Sequence, residues 1–206
     1  MINFVLKIQE NKTLLRAYRA VSSLVQVIPY HIMEEVFIDQ DELNIIPGIE
    51  DFVITVLTHD DMAYLGNHEE SSTTTEQYNQ MMDNGCICVA AKHKGEIAAY
   101  SWADQYHLRY KGKTIALKQN EAYLFDARTY KAFRGKNLAP YVRYELYKLL
   151  KKRGVDRFLS LTILSNTASM KFKQKLGAKP IELFLYVGLF RKYHMHFRLR
   201  NMVHHQ

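Results

Sequence analysis

Several features that would assign this sequence to a particular class are missing from it. Its two cysteines, Cys86 and Cys88, are too few for a disulfide framework, so we expect reduced core residues. No apolar run approaches the roughly 20 residues that a bilayer span needs. The first residues, MINFVLKIQENK, lack the basic and then apolar segments of a secretory signal. These absences predict a cytoplasmic protein without a membrane span.

The short motifs of several enzyme classes are also missing. The sequence has no Walker-type loop, no HExxH and no GxSxG. A metal site is suggested only by His194 and His196, which would share a strand face, with His204 and His205 in the tail. No acidic or cysteine ligand accompanies them nearby, so we expect exposed histidines and no metal.

The composition is that of a globular protein with an excess of positive charge. Hydrophobic residues make up 48% of the chain and charged residues 24%, which suits one domain with a packed core. The net charge of +7 fits nucleic acid, an acidic carrier protein or a phosphorylated coenzyme. The basic residues cluster at Lys131–Lys136, Lys148–Arg157 and Lys171–Lys179, beside two predicted helix starts. This position favours the coenzyme and argues against nucleic acid.

The hydrophobic pattern predicts an α/β (α+β) fold with a mixed sheet. Residues 1–50 are interpreted as an N-terminal helix, near Lys12–Val25, and an arm at Tyr30–Ile38, both packed on the main domain at 51–206. Strands are predicted from Phe52 and at 86–92, 96–105, 114–117, 122–129, 158–163, 181–186 and 194–199. Helices are predicted after Thr58 and at 76–82, 137–153 and 166–176.

The most informative stretch runs from Asn120 to Gly154. Its pattern predicts a strand, a basic turn at Arg134–Ala139 and an amphipathic helix with Leu138, Val142, Leu146 and Leu149 on one face. Pro140 is tolerated only in the first turn of a helix, so the helix begins near Asn137. The N–H groups at a helix start have no intrahelical acceptor and carry the positive end of the helix dipole. The turn is therefore a candidate site for a phosphate or pyrophosphate.

A second element follows one strand later. Residues 165–178, SNTASMKFKQKLGA, read as a polar cap at Asn166, a helix and a stop at Gly177. The two motifs in this order resemble the GCN5-related N-acetyltransferase (GNAT) superfamily over roughly Asp51 to Leu199. The turn matches the family pattern R/Q-x-x-G-x-G/A except at its middle glycine, here Asn137, and asparagine tolerates unusual backbone angles better than most residues.

The resemblance implies a fold and a binding mode. The fold is a GNAT-like mixed, mainly antiparallel twisted sheet flanked by helices and splayed between its two central parallel strands. Acetyl-CoA, or another acyl-CoA, would be the co-substrate, with no metal. The turn would hold the pyrophosphate, with Lys131 among its counter-charges, and the strand end would pair with the pantetheine arm. The implied cofactor-binding residues are Ala127, Arg128, Thr129, Arg134, Gly135, Lys136, Asn137, Leu138, Ala139 and Asn166.

The reaction implied is direct attack of an amine on the thioester. A base must remove the ammonium proton, and the candidates are Asp126, Glu121 and His107. Strand alternation puts Asp126 on the face of Leu124 and Glu121 on the other, although a bulge, common in this family near the thioester, would change that parity. The structural alternatives for Asp126 are a salt bridge to Arg128 and a structural cap.

The catalytic acid is left open by a departure from the family. Many members carry a tyrosine seven residues after the asparagine, where it protonates the leaving thiolate. Lys173 occupies that position here. It is a candidate acid because a lysine can do the same, and the alternative is an exposed lysine.

These residues predict an acyl-CoA-dependent N-acyltransferase that acetylates, or transfers a longer acyl group to, a primary amine of a small molecule. One alternative is an enzyme of the N-acyl amino acid synthase type, which takes a long chain from acyl carrier protein, whose acidic helix would suit the basic faces. Another is a catalytically degenerate CoA-binding module. The acceptor would be selected by loops 66–76 and 104–113 and by the N-terminal arm. The oligomeric state is expected to be monomer or homodimer.

Overall fold

The computed structural model describes residues 24–37 and 49–202 of the chain. Most of the predicted helix Lys12–Val25, the end of the predicted arm and His204-His205 lie outside these residues. The strands are β1 (Val25–Glu35), β2 (Phe52–Val56), β3 (Ile87–His93), β4 (Glu96–Asp104), β5 (His107–Tyr110), β6 (Lys113–Ala116), β7 (Glu121–Thr129), β8 (Arg157–Ile163), β9 (Lys179–Leu189) and β10 (Tyr193–Asn201). The helices are α1 (His59–Asn67), α2 (Thr75–Asp83), α3 (Leu138–Lys151) and α4 (Thr167–Lys175), with 3-10 turns at Ile49–Asp51 and Lys131–Phe133.

Eight strands form one sheet in the order β10-β9-β1-β8-β7-β4-β3-β2, and β5 and β6 form a separate hairpin. Neighbours pair antiparallel except β7 and β8, which are parallel. The predicted mixed, mainly antiparallel sheet flanked by helices is therefore confirmed. The predicted loop at 104–113 is wrong in part, because His107–Tyr110 is a strand of the hairpin.

The first described segment is a strand inside the sheet. Between β8 and β9, β1 places Tyr30 opposite both Ile163 and Phe184. The arm predicted from Tyr30 is thus extended over its described part. Its backbone groups pair with β8 along one edge and with β9 along the other. The division of the chain into residues 1–50 and 51–206 stays a prediction.

The two parallel strands separate halfway along their length. They pair only from Glu121 to Leu124, opposite residues 157–160. Beyond Leu124, β7 stays paired with β4 as far as Thr129, while β8 stays paired with β1 as far as Ile163. Each strand follows its other neighbour, so a cleft opens between them. The splay that the resemblance implied is present.

The sheet is covered by helices on both faces. On one face α3 packs through the predicted stripe Leu138, Val142 and Leu146 against small strand residues that include Ala99 and Ala122. On the other face α1 and α2 pack on an aromatic cluster made by Tyr78, Cys88, Tyr100, Trp102 and Tyr130, among others. Both cysteines are free and buried, as predicted, and burial raises the pKa of the Cys86 thiol to about 12.

The contact of α3 with the sheet carries a stability prediction. Leu146 is fully buried in this cluster, so we expect Leu146→Ala to lower the free energy of unfolding by about 2–5 kcal/mol, through lost burial and the cavity left behind. Urea denaturation measures the change. The matched control is Lys152→Ala on the exposed end of the same helix, which we expect to change the stability by less than about 0.5 kcal/mol.

Candidate active site

The turn between β7 and α3 has the backbone that an anion-binding loop needs. Gly135 (φ 83°) and Asn137 (φ 53°) are both left-handed, and α3 begins at the next residue, Leu138. The family pattern has glycine at the position of Asn137, and Asn137 adopts the left-handed conformation that a glycine adopts easily. Within residues 24–37 and 49–202, the N–H groups of residues 135–139 have no acceptor. A Cβ added to Gly135 would have no atom within 4 Å, so the turn faces open space.

The basic side chains of the turn do not all face that space. Arg134 pairs with the carboxylate of Glu70 and donates from Nε to the carbonyl oxygen of Thr129 at 3.0 Å. Glu70 also accepts from the Lys131 N–H at 2.7 Å, and the Arg128 guanidinium donates to the backbone oxygen of Glu70. The loop before α2 therefore contacts the turn through Glu70, and Arg134 stabilises this contact.

Two lysines on α4 face the turn instead. A cavity of about 390 Å³ extends from the turn to α4. It is lined by Thr129, Arg134, Gly135, Asn137, Leu138, Ala139, Pro140, Ala168, Lys171, Phe172 and Lys175. Sequence reasoning missed Lys171 and Lys175 as counter-charges, although their i, i+4 spacing on a predicted helix beside the turn was a usable signal. The Lys136 ammonium lies 5.7 Å from the Phe52 ring centre, and Lys136 does not line this cavity.

A second cavity, of about 420 Å³, occupies the splay between β7 and β8, hereafter the cleft. It is lined by Leu124, Phe125, Asp126, Ala127, Ala139, Arg143, Leu161, Asn166, Ala168, Ser169, Phe172 and Lys173. It shares Ala139, Ala168 and Phe172 with the turn cavity, so the two cavities adjoin between the turn and the splay. Asn166, at the rim, caps α4 by accepting from the Ser169 N–H at 3.0 Å.

Asp126 reaches the cleft through a β-bulge in β7. Phe125 pairs with Trp102 and Arg128 with Tyr100, so Asp126 and Ala127 together oppose a single residue of β4. The backbone of Asp126 is left-handed (φ 40°), a strained conformation for this residue.

The bulge also changes the face to which Asp126 belongs. The Oδ2 atom of Asp126 lies 3.4 Å from the Tyr78 hydroxyl and 3.5 Å from the Tyr100 hydroxyl, in the aromatic cluster under α1 and α2. Leu124 packs on the opposite face with α3. The alternation argument that placed Asp126 with Leu124 is wrong, because the extra residue in the bulge shifts the parity of the strand.

The surroundings of Asp126 make its carboxylate a better proton acceptor than an exposed one. Burial raises the pKa of Asp126, while Arg128 and the hydroxyls of Tyr78 and Tyr100 oppose that shift. A carboxylate with a raised pKa holds an abstracted proton more strongly at neutral pH. The alternative of a direct salt bridge is not seen, because the Arg128 guanidinium donates to the backbone of Glu70.

Glu121, the other candidate base, lies at the far end of β7. It precedes the splay, where β7 and β8 are still paired, and it does not line the cleft. Its carboxylate accepts from Arg157 at 2.6 Å and from the Lys118 N–H at 3.1 Å. Burial acts to raise the pKa of Glu121, but these hydrogen bonds outweigh it and lower the pKa. The structure does not bring Glu121 together with Asp126.

Lys173, the candidate acid, is buried at the base of the cleft. Its ammonium donates to the carbonyl oxygen of Leu161 on β8 at 2.6 Å. Burial lowers the pKa of Lys173 to about 7, with Glu35 opposing the shift and Arg143 adding to it. An amine with this pKa carries a proton that it can release near neutral pH. The alternative of an exposed lysine is therefore wrong.

A third cavity, of about 640 Å³, lies on the other side of Phe125, which lines both spaces. The predicted variable loops supply Ser72, Thr73, Asp104, His107 and Arg109, while α2 and nearby strands supply Gln77, Gln80, Met81, Asn84, Cys86 and Tyr123. The charge of Asp104 is balanced by Arg109 at 2.6 Å. His107 lines this space and is hydrogen-bonded to Arg109 at 2.9 Å.

The described residues contain no group of three or more histidine, cysteine or acidic side chains that could hold a metal. His194 and His196 are hydrogen-bonded to the hydroxyls of Tyr186 and Tyr30, at 2.8 and 2.9 Å. Over residues 24–37 and 49–202, no helix has the length and apolar character to cross a membrane.

Comparison with known proteins finds one family and many related folds. The profile of the acetyltransferase (GNAT) family matches residues 54–178. No curated protein matches the chain. Similar solved structures include an acetyltransferase of the GNAT family from Novosphingobium aromaticivorans, with 17% identity, a TM-score of 0.54, and coverage of 81% of this chain and 65% of that chain.

Two further structures extend the comparison. A GCN5-related N-acetyltransferase-like protein from Streptococcus suis has 15% identity and a TM-score of 0.57, covering 87% of this chain and 68% of that chain. A tandem GNAT protein from the clavulanic acid biosynthesis pathway has 12% identity and a TM-score of 0.60, covering 86% and 58%. This chain spans less than two thirds of the length of the first and third structures. At such identities the likeness shows the shared fold.

Proposed function

The chain belongs to the acetyltransferase (GNAT) family, and from this premise we propose that it transfers an acyl group from a coenzyme A thioester to a primary amine of a small molecule. The observation that carries the proposal is the row of adjoining cavities, hereafter the path, from the Arg134–Ala139 turn through the cleft to Asp126. At one end of this path are free N–H groups and lysines, and at the other a partly buried carboxylate and a buried lysine.

The residues of the path fit the parts of coenzyme A in order. The N–H groups of residues 135–139 would accept the pyrophosphate oxygens, with Lys171 and Lys175 as counter-charges. Leu138 is buried in the core, so it would contribute only its backbone N–H. Beyond the bulge, Ala127 to Thr129 would offer backbone groups to the pantetheine arm on the side from which β8 has diverged, and Asn166 lies at the facing rim.

Asp126 would act as the general base. The amine arrives as an ammonium from the cavity beyond Phe125, and its proton passes to the Asp126 carboxylate, directly or through a water. The nitrogen then attacks the thioester carbonyl, and a carbon–nitrogen bond forms. As the tetrahedral adduct collapses, the carbon–sulfur bond breaks and the new amide nitrogen releases its remaining extra proton to water. Asp126 suits this role because burial raises its pKa and because it lines the cleft.

Lys173 would act as the general acid. The departing thiolate takes a proton from its ammonium, which the Leu161 carbonyl holds in place. Lys173 thus replaces the tyrosine that many family members carry at this position, and its pKa of about 7 lets it give up the proton.

The cavity lining also favours coenzyme A over acyl carrier protein as the acyl donor. A carrier protein presents pantetheine through a single phosphate, whereas the turn cavity offers several N–H groups and both Lys171 and Lys175, which suits a pyrophosphate. The third cavity, about 640 Å³ and lined by both polar and apolar side chains, is of a size that fits a small-molecule acceptor.

A thermal-shift experiment tests the proposed function. We expect CoA and acetyl-CoA to raise the melting temperature, because a ligand at a hundred times its dissociation constant adds about 2.7 kcal/mol of stability. In Gly135→Ala, the added Cβ projects into the space before the N–H groups and strains a backbone at φ 83°. We expect this variant to lose at least about tenfold in CoA affinity.

Gly154→Ala is the matched control, because Gly154 has the same φ of 83° and the same empty surroundings at the other end of α3. It should lose stability to a similar extent and keep its affinity for CoA. If no CoA thioester of any chain length shifts the melting temperature of the wild-type protein, the proposed transferase function is wrong. If thioesters bind but none is consumed with any amine tested, the chain is a degenerate binding module.

A further inference from the structure

A buried charged cluster lies where the cleft meets α3 and β1. Arg143 is one helical turn after Ala139 and lines the cleft together with Lys173. Glu35, at the end of β1, lies behind them. All three residues are buried: Arg143 is 1% exposed, Lys173 4% and Glu35 3%. Such burial of charge is costly unless every charge has a partner.

While Lys173 is protonated, the cluster is one negative charge short. It joins two basic groups to the single carboxylate of Glu35, in which Oε1 has no hydrogen-bond partner among the described residues and Oε2 accepts from the Tyr147 hydroxyl. The Arg143 Nε lies 3.6 Å from the same oxygen, which is too long for a hydrogen bond. Within residues 24–37 and 49–202, the Nε and Nη1 atoms of Arg143 have no hydrogen-bond acceptor. A guanidinium normally uses its donors on carboxylate or phosphate oxygens.

The side chain that carries these unused donors adjoins the space that the acyl group would enter, and its Nε and Nη1 atoms are themselves buried. Arg143 lines the cleft beside Phe172, with its guanidinium carbon 5.6 Å from the centre of that ring. The opposite wall is the bulged segment Leu124–Ala127, where the thioester carbonyl would lie under the proposed function. An acyl chain running inward from that carbonyl approaches a buried cation. An apolar chain end would leave the donors of Arg143 unsatisfied, whereas a carboxylate would satisfy them.

We propose that the acyl group carried by this enzyme ends in a carboxylate, so that the donor is the CoA thioester of a short dicarboxylic acid and Arg143 anchors its free carboxylate. The inference rests on the proposed function of the same cleft and names the class of its acyl donor. Arg143 is then the residue that selects the acyl group. Lys173 keeps its role in protonating the thiolate, and the acyl carboxylate supplies the missing negative charge.

The test compares two acyl donors of equal length. Succinyl-CoA and butyryl-CoA each carry a four-carbon acyl chain, and they differ in ending with a carboxylate or a methyl group. Titration calorimetry is expected to show succinyl-CoA binding at least about tenfold more tightly to the wild-type protein, as a charge-assisted hydrogen bond to a buried guanidinium predicts. Free CoA measures the contribution of the turn alone.

The variant that tests Arg143 must not leave Glu35 as an unpaired buried charge. The double variant Arg143→Gln with Glu35→Gln removes both charges together. It should bind succinyl-CoA no better than butyryl-CoA, with its affinity for free CoA unchanged. Arg153→Gln, an exposed change of the same kind beyond the end of α3, is the matched control and should keep the preference for succinyl-CoA.

A measurement on the wild-type protein covers the case in which the double variant does not fold. Lys173 is largely unprotonated at pH 8, and an anion bound nearby favours its charged form. Succinyl-CoA should therefore take up protons on binding, measured as a calorimetric enthalpy that depends on the ionisation enthalpy of the buffer, and butyryl-CoA should not. The cluster also contains Glu35, Tyr147 and the positive charge of Arg143. Burial acts to raise the pKa of Glu35, but Arg143 and hydrogen bonds outweigh it and lower that pKa, while burial raises the pKa of Tyr147. Neither Glu35 nor Tyr147 therefore takes up a proton at this pH.

The outcomes separate this inference from the proposed function. If CoA binds through the turn but butyryl-CoA binds as well as succinyl-CoA, with no difference in proton uptake, the dicarboxylic donor is wrong and the transferase proposal stands. If neither CoA nor any thioester binds, the proposed function fails and the inference fails with it. A preference for succinyl-CoA that survives in the folded double variant would show that another group recognises the carboxylate.

Discussion

Replacing Asp126 with asparagine is expected to lower kcat/KM by about 10²–10⁴-fold, the usual contribution of a general base. The amide cannot accept the ammonium proton, although it has nearly the shape of the carboxylate. The measurement follows release of the CoA thiol with the best acceptor found in a panel of primary amines. Affinity for CoA should not change, because the turn lies at the other end of the path.

The pH dependence of the activity tests the role of Asp126 independently. Asp126 works as a base only when deprotonated, so activity is present above its pKa and is lost as the pH falls through it. Burial raises that pKa, which moves the loss of activity to a higher pH than an exposed aspartate would give. Tyr100→Phe removes a hydroxyl that stabilises the charged carboxylate, so the ascending limb of the profile should move further up in pH.

Glu121→Gln is the comparison variant, since Glu121 is the other carboxylate proposed on this strand. It breaks the contact with Arg157 and should lower the free energy of unfolding while leaving kcat nearly unchanged. If Glu121→Gln abolishes turnover and Asp126→Asn does not, the assignment of the base to Asp126 is wrong.

The second large effect is expected at Lys173. Lys173→Met should lower kcat by about 10²-fold or more when thiolate departure limits the rate, because the leaving sulfur then lacks its proton donor. The sign of the pH effect follows from the role of an acid. Lys173 acts only while protonated, and burial lowers its pKa to about 7, so activity should fall as the pH rises through this value.

Lys173→Arg separates the charge of this residue from its proton transfer. Arginine keeps the positive charge beside Glu35 but does not release its proton in this range. The descending limb near pH 7 should therefore disappear from the kcat profile, with the remaining activity independent of pH there. A profile that keeps its descending limb in this variant would show that another group, or the solvent, protonates the thiolate.

Much of the fold could be predicted from local patterns. Alternation indicated the strands around Phe52, Cys88 and Phe158, and the i, i+3, i+4 stripe of α3 indicated which face is buried. Pro140 placed the start of α3 to within a residue, because proline excludes all but the first helical turn. These features depend on residues close together in the chain. The resemblance to the GNAT superfamily added the prediction that the two central strands are parallel and splay apart.

The candidate site was harder to predict because its surroundings come from distant segments. Lys173 was identified by its place after Asn166, but its lowered pKa arises from burial, opposed by Glu35 on β1 and reinforced by Arg143 on α3. Lys171 and Lys175 face the turn only because α4 packs there. Arg134 was expected to face the phosphate, yet it pairs with Glu70, a contact across 64 positions of the chain.

The sequence by itself determined the order of strands and helices from Phe52 onward except for β5, the tolerance of Asn137 for an unusual backbone angle, and the free N–H groups at the start of α3, because short-range sterics and hydrogen bonding decide these. Only the tertiary structure decided that β1 lies within the sheet, that the bulge turns Asp126 away from Leu124, and that Arg143 is buried with unused donors beside the cleft. Strand pairing and burial depend on contacts between distant residues, and a pattern read along one segment carries no information about the partner that segment will meet.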